Sequence, residues 1–173
     1  MVLEPYSLLH TERAHALQTE MSAGPRTARL DYAEALDLLQ ADAVVFEHKL
    51  AAADWSGDAS RSTDMRQLFD GLRRTAQALN RTLEQGGGFA GRAAARPGLA
   101  EAFGRTRLYG TAPRRSPVER AEDAVDDTAY LNGALRVTAH LAMSAGDMVM
   151  ASALSSRADE LEGFGWVLAA GLH

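Results

Sequence analysis

The chain of 173 residues contains no cysteine. That excludes a disulfide framework, a thiolate metal site and a cysteine nucleophile, and it suits a reducing cytoplasm. Lysine is almost missing too. Lys49 is the only one and every other basic side chain is arginine, a bias that reads as codon composition, with no physical role assigned to Lys49. Net charge is −5, so the chain as a whole is not an electrostatic nucleic-acid binder. No run approaches the ~18 apolar residues of a membrane span. Met1 to Met21 carries Glu4 and Pro5 where a secretion signal needs a basic start and an apolar core. Gly-x-Ser-x-Gly, a phosphate loop, His-Glu-x-x-His and a dinucleotide fingerprint are all missing. No segment alternates like a strand, and no repeat of 20–50 residues occurs.

What is present is helix. Hydrophobic residues make up 46%, enough for a globular core, and alanine, leucine, glutamate and arginine dominate. Residues 1–26 read as an N-terminal tail. Ser7 caps a short helix with Leu8, Leu9, Ala16, Leu17 and Met21 on its apolar side, and Gly24-Pro25 ends it. From Thr27 to about Trp55, Leu30, Ala33, Leu36, Leu39, Ala43 and Phe46 recur at helical steps. A second stripe runs through Met65, Leu68, Phe69, Leu72, Ala76, Leu79 and Leu83, and Gly86-Gly87-Gly88 stops it. Residues 86–116 are irregular and arginine-rich, with room for one short helix from Gly98 to Phe103. Ser116-Pro117-Val118-Glu119 is a helix start, with Pro at the first helical position. That helix runs to about Ala145, breaks at Gly146-Asp147, and a last one continues to Gly171. Residues 27–173 thus predict an all-α bundle of four long helices with a long crossover between the second and third.

The closing helix carries a further pattern: Gly146-Asp147, then Leu154, Arg157, Leu161-Glu162, Trp166, Leu168 and Leu172. With Asp54-Trp55 and Phe69-Asp70-Gly71 upstream, it resembles the Dps mini-ferritins, bacterial iron-storing and DNA-protecting cages. The likeness spans roughly residues 30–172. It implies a ferritin-like four-helix bundle, a hollow homo-dodecamer, a cytoplasmic location with nucleoid association, and iron as cargo, oxidised by peroxide or oxygen. In the family, helix one ends in His-Trp. Helix two opens with His, three residues, then Asp, and continues to Asp, three residues, then Glu. These ligands meet across a two-fold interface.

Carried over residue by residue, Trp55 keeps its place but the histidine before it becomes Asp54. The helix-two histidine falls on Arg66, the following Asp is kept as Asp70, and the later pair falls on Arg81 and Gln85. A shift of one residue offers Asn80 and Glu84 instead. Arginine stays protonated and has no lone pair to give a metal. The expectation is therefore an ion-pair cluster of Asp54, Asp70, Arg66 and Arg81 in place of the metal. No catalytic residue is assigned.

Several residues carry two readings. His48 joins Asp54 and Asp58 in a displaced metal site, or is simply an exposed or interfacial histidine; the second is preferred. The paired Glu-x-x-His motifs of larger ferritins are absent, and adjacent Glu47-His48 point to different helix faces. Glu119, Glu122, Asp123, Asp126 and Asp127 either focus Fe²⁺ or complement a helix dipole. Met143, Met148 and Met150 read as core packing rather than a thioether site. Trp55 and Trp166 read as structural core or interface anchors near the site. Arg92, Arg96, Arg105, Arg107, Arg114 and Arg115 line the crossover; any DNA contact is expected to be weak. The tail's apolar residues are expected to dock on a neighbouring subunit.

Overall fold

The structure, a computed structural model, describes residues 6–52, 62–86, 96–108 and 116–171, with side chains outside 6–27, 62–63 and 117–118. Among the described residues five helices follow in chain order: α1 (Tyr6–Ala51), α2 (Ser62–Gly86), α3 (Leu99–Arg105), α4 (Pro117–Ala145) and α5 (Met148–Gly171). The four long ones form a closed ring. α1 packs on α2 and α4, and α5 packs on the same two from the opposite side. The short α3, in the crossover between α2 and α4, lies against α1.

The predicted stripes line the centre. Leu36, Leu39 and Phe46 of α1 meet Leu72, Leu79 and Leu83 of α2, Leu131 and Leu135 of α4, and Leu154, Leu161 and Leu168 of α5, all fully buried. Two expectations for α1 need correction. Leu30 is 65% exposed, and the buried aromatic of that turn is Tyr32. The helix also runs unbroken through Gly24-Pro25. A proline removes one backbone donor and favours a kink. Alanine, leucine and arginine on both sides are strong helix formers that carry a helix past it. Further along, Ala41 to Phe46 are buried on every side, because α3 covers the face that α2 and α4 leave open.

The helix ends follow the local sequence. Ser116 Oγ accepts from Glu119 N at 3.2 Å, and the Glu119 carboxylate accepts from Ser116 N at 2.8 Å, a reciprocal capping box with Pro117 at the first turn. α4 ends at Gly146 with φ 91°, where a side chain is strained. Gly146 N donates to Met143 O at 3.0 Å and Asp147 N to Ala142 O at 2.8 Å, which closes the last turn. Asp147 then starts α5 by accepting from Met150 N at 3.0 Å, while its other oxygen accepts from the Tyr32 hydroxyl at 2.9 Å. This one carboxylate ties the α4–α5 turn to α1.

Candidate functional site

Arg66, Asp70 and Arg81 share one stripe of α2, since steps of four and eleven residues return to nearly the same helix face. Arg66 and Arg81 are exposed and Asp70 is half-exposed. Asp70 lies 3.5 Å from Arg73, its neighbour one turn on. Arg81 stands about 16 Å further along the axis at 1.5 Å per residue, beyond its reach. Any cluster joining Asp70 to Arg81 therefore requires a second copy. Asn80 is buried, donating to Ala43 O at 3.3 Å and to the Glu47 carboxylate at 2.8 Å. The one-residue shift thus puts Asn80 on the core side, while Arg81 and Gln85 stay on the exposed stripe.

At the end of α1, Glu47 and His48 diverge as adjacent helical residues must. Glu47 faces Asn80 and also takes Arg96 at 2.7 Å. His48 is exposed, its ring edge-on to Phe103 with centroids 5.9 Å apart. Asp54, Trp55 and Asp58 lie outside the described residues. Among the described residues, no group of three or more His, Asp or Glu side chains is arranged to hold a metal ion.

Trp166 is not in the subunit core. It is 73% exposed, at the edge of an α4–α5 groove of about 310 Å³ lined by Thr128, Asn132 and Glu162. Core packing holds for Met150, which is buried, and needs correction for Met143 and Met148, which are exposed because the α4–α5 turn projects them outward. On α4, Glu122 and Asp126 are exposed, but Asp127 is buried against α1.

Two polar anchors escape the sequence reading. Lys49 forms a buried ion pair with Asp127, so the only lysine has a structural role after all. Burial pushes the Asp127 carboxyl above its ordinary value; Lys49 opposes that rise, and Asp123 and Asp126 add to it. The second anchor is Asp42, fully buried. It accepts from the Thr106 hydroxyl at 2.7 Å, Arg107 N at 2.8 Å and the Tyr130 hydroxyl at 3.4 Å, with the Arg107 guanidinium at 3.6 Å. That guanidinium also lies 5.5 Å from the Tyr130 ring centroid. Burial and the Asp42 carboxylate raise the Tyr130 phenol, against Arg107. A carboxylate inside the apolar run Leu39 to Phe46 is the signal that marks such an anchor, because Asp is almost never fully buried unless partnered.

No described helix is long and apolar enough to cross a membrane. No protein-family model and no curated protein matches the sequence. Solved structures do match. Dps from Thermosynechococcus elongatus superposes with a TM-score of 0.78 at 17% identity, covering 86% of this chain and 94% of that one. A Dps protein from Bacillus brevis gives 0.76 at 24% identity, over 85% and 98%. Dps from Staphylococcus aureus gives 0.74 at 18% identity, over 83% and 96%. Agreement over nearly the full length of three such structures means that this chain has a Dps-like, ferritin-type fold.

Proposed function

We propose that the chain is the subunit of a Dps-like mini-ferritin cage. In this reading twelve copies enclose a cavity that takes up Fe²⁺ and keeps it out of hydroxyl-radical chemistry. Most of the usual ferroxidase ligands have been replaced. The observation that carries the reading is the fold likeness over more than four-fifths of the chain. The exposed carboxylates Glu122 and Asp126 on α4 add support, because acidic surface raises the local concentration of a divalent cation.

The donor set does not fit the usual oxidation centre. Arg66 and Arg81 stand where ligands are expected, and Asp70 is held by Arg73. Guanidinium groups repel Fe²⁺ and compete for any carboxylate nearby. No oxidation step is therefore assigned to these residues, and His48 with Asp54 and Asp58 is the alternative donor set. The same mismatch favours a second reading, a structural or nucleoid-associated cage without ferroxidase activity, in which DNA contact is weak.

The test is oxidation of Fe²⁺ by peroxide after anaerobic loading, followed by absorbance against a protein-free control. Fast protein-dependent oxidation with soluble product is the expected result for an iron cage. A trace that overlays the control leaves the second reading.

A further inference from the structure

A groove of about 540 Å³ lies between α1 and α4. Its floor is small: Ala35 of α1 with Ala129, Gly133 and Ala134 of α4. Ala129 to Val137 is two turns of α4, about 12 Å at 1.5 Å per residue. Arg107 stands at the Tyr130 end. Its guanidinium is held 3.6 Å from the buried Asp42 carboxylate and 5.5 Å from the Tyr130 ring centroid. α1 and α4 run antiparallel, with Tyr32 joined to Asp147 and Asp42 to Tyr130, so Asp31 and Glu34 line the other end, toward Val137.

Gly133 is the unexpected residue of that floor. It lies in mid-α4, is exposed, and a Cβ there would meet nothing within 4 Å. Packing inside the subunit therefore does not require glycine, and a glycine in a helix interior is less stable than an alanine. What it provides is bare backbone on which an outside body can sit closely. The two carboxylates are equally unused. Asp31 and Glu34 are exposed, one helical turn apart, and neither pairs with another described residue, whereas nearby Asp37 is paired with Arg105. The groove is thus apolar along its floor and anionic at one end.

We propose that the α1–α4 groove binds a short aliphatic diamine, with its ammonium groups on Asp31 and Glu34 and its methylene chain against the Gly133 backbone. Side chains three residues apart on a helix are about 5–6 Å apart at Cβ, a span that a few methylenes bridge. One exposed carboxylate–ammonium pair contributes little; two on one chain reinforce each other through effective concentration. A divalent metal ion needs about six oxygen ligands, and alanine and glycine side chains supply none. A longer polyamine brings its third ammonium toward Arg107 and gains nothing from it. A helix of a second copy would have to pass over Arg107, which a small ligand avoids. No described residue of α2 lines the groove, and the α1–α4 side of the ring lies opposite the α2–α5 side. The site is therefore apart from the Arg66–Asp70–Arg81 stripe that the family likeness puts at the two-fold contact.

The inference does not rest on the iron reading, and a failed Fe²⁺ oxidation assay leaves it standing. The test is calorimetric titration of the full chain, as assembled, with 1,4-diaminobutane, with the triamine spermidine and with Mg²⁺. Gly133→Leu fills the floor without changing charge; Asp31→Asn with Glu34→Gln removes the anionic end. Glu122→Gln with Asp126→Asn is the charge-matched control. Circular dichroism and light scattering check that each variant keeps its helix content and particle size. Expected are one diamine per chain, spermidine no tighter, no competition from Mg²⁺ at equal concentration, at least a tenfold loss in both groove variants, and none in the control. No diamine binding, affinity that simply rises with ligand charge, or an equal loss in the control would overturn the proposal. So would a Gly133→Leu variant that binds normally. A change of particle size in that variant would overturn it too, and would give the groove to a contact between copies.

Discussion

The inner face of α1 and the outer face of α2 use the same charged groups in opposite ways. Around α1, Asp42 and the Lys49–Asp127 pair are buried and matched donor to acceptor across α1, α4 and the end of α3. On α2, Arg66, Arg74 and Arg81 stand in solvent without an ion pair among the described residues. Charges of the first kind fix the subunit, because a buried ion left alone is very costly. Charges of the second kind add almost nothing to the subunit and are available to whatever lies outside it. The contrast separates residues that make the subunit fold from residues that the subunit fold does not use.

Substitutions test that division. The largest effect is expected at Lys49. Lys49→Met leaves Asp127 buried without its cation and should cost about 3–5 kcal/mol in chemical denaturation. The double variant Lys49→Met with Asp127→Leu should recover most of it. Asp42→Ala follows, at roughly 3 kcal/mol, because it strands the Thr106 hydroxyl and the Arg107 amide. Hydrogen exchange should then speed up first at residues 106–108. An equal rise across all five helices would mean that Asp42 does not act locally.

Gly71 comes next. A Cβ there would sit 2.6 Å from the Phe164 ring, where α2 meets α5. Gly71→Ala should therefore destabilise by about 1–3 kcal/mol through overpacking. A Phe164→Leu background should relieve part of that in the same assay.

A smaller effect is a pH dependence. Burial raises the folded-state value of Asp127 above its unfolded one, so the folded chain holds that proton more tightly. The associated stability is full below the unfolded value of about 3.9. It is lost as pH rises through the raised folded value, and the curve is flat above it. Thermal unfolding of the wild type should show this slope just above pH 4. Asp127→Asn should lack it, and a slope that persists in that variant would move its origin elsewhere. The smallest effect is expected on α2. Arg66, Arg74 and Arg81 changed together to Gln should shift the denaturation midpoint by no more than about 0.5 kcal/mol equivalent. A loss of 2 kcal/mol or more would place these arginines with the anchors and erase the contrast.

The fold was legible because periodicity and end signals agree. The α2 stripe from Met65 to Leu83, the helix start at Ser116-Pro117 and the Gly146-Asp147 break all appear in the structure as read. Leu30 and Pro25 were misread because a window of spacing carries no information about which turn meets a neighbour. Tyr32 was not singled out, although its hydroxyl partner Asp147 belongs to the recognised pattern, 115 positions away. Lys49 and Asp127 likewise gain their meaning only once α1 and α4 are side by side. The candidate site was partly legible. The sequence singles out Arg66, Asp70 and Arg81, and the structure puts them on one stripe of α2, but the contrast between paired and unpaired arginines requires coordinates. Trp166 was expected as a core or interface anchor, and the structure excludes the core of the single chain, where it is 73% exposed.

Assembly is the central claim. Light scattering coupled to size exclusion, on protein loaded with Fe²⁺ and then treated with peroxide, tests it in one run. The account predicts a single particle of about twelve 18.6 kDa chains, with iron eluting in the same peak. A monomer or dimer peak, with iron lost as precipitate, would contradict it.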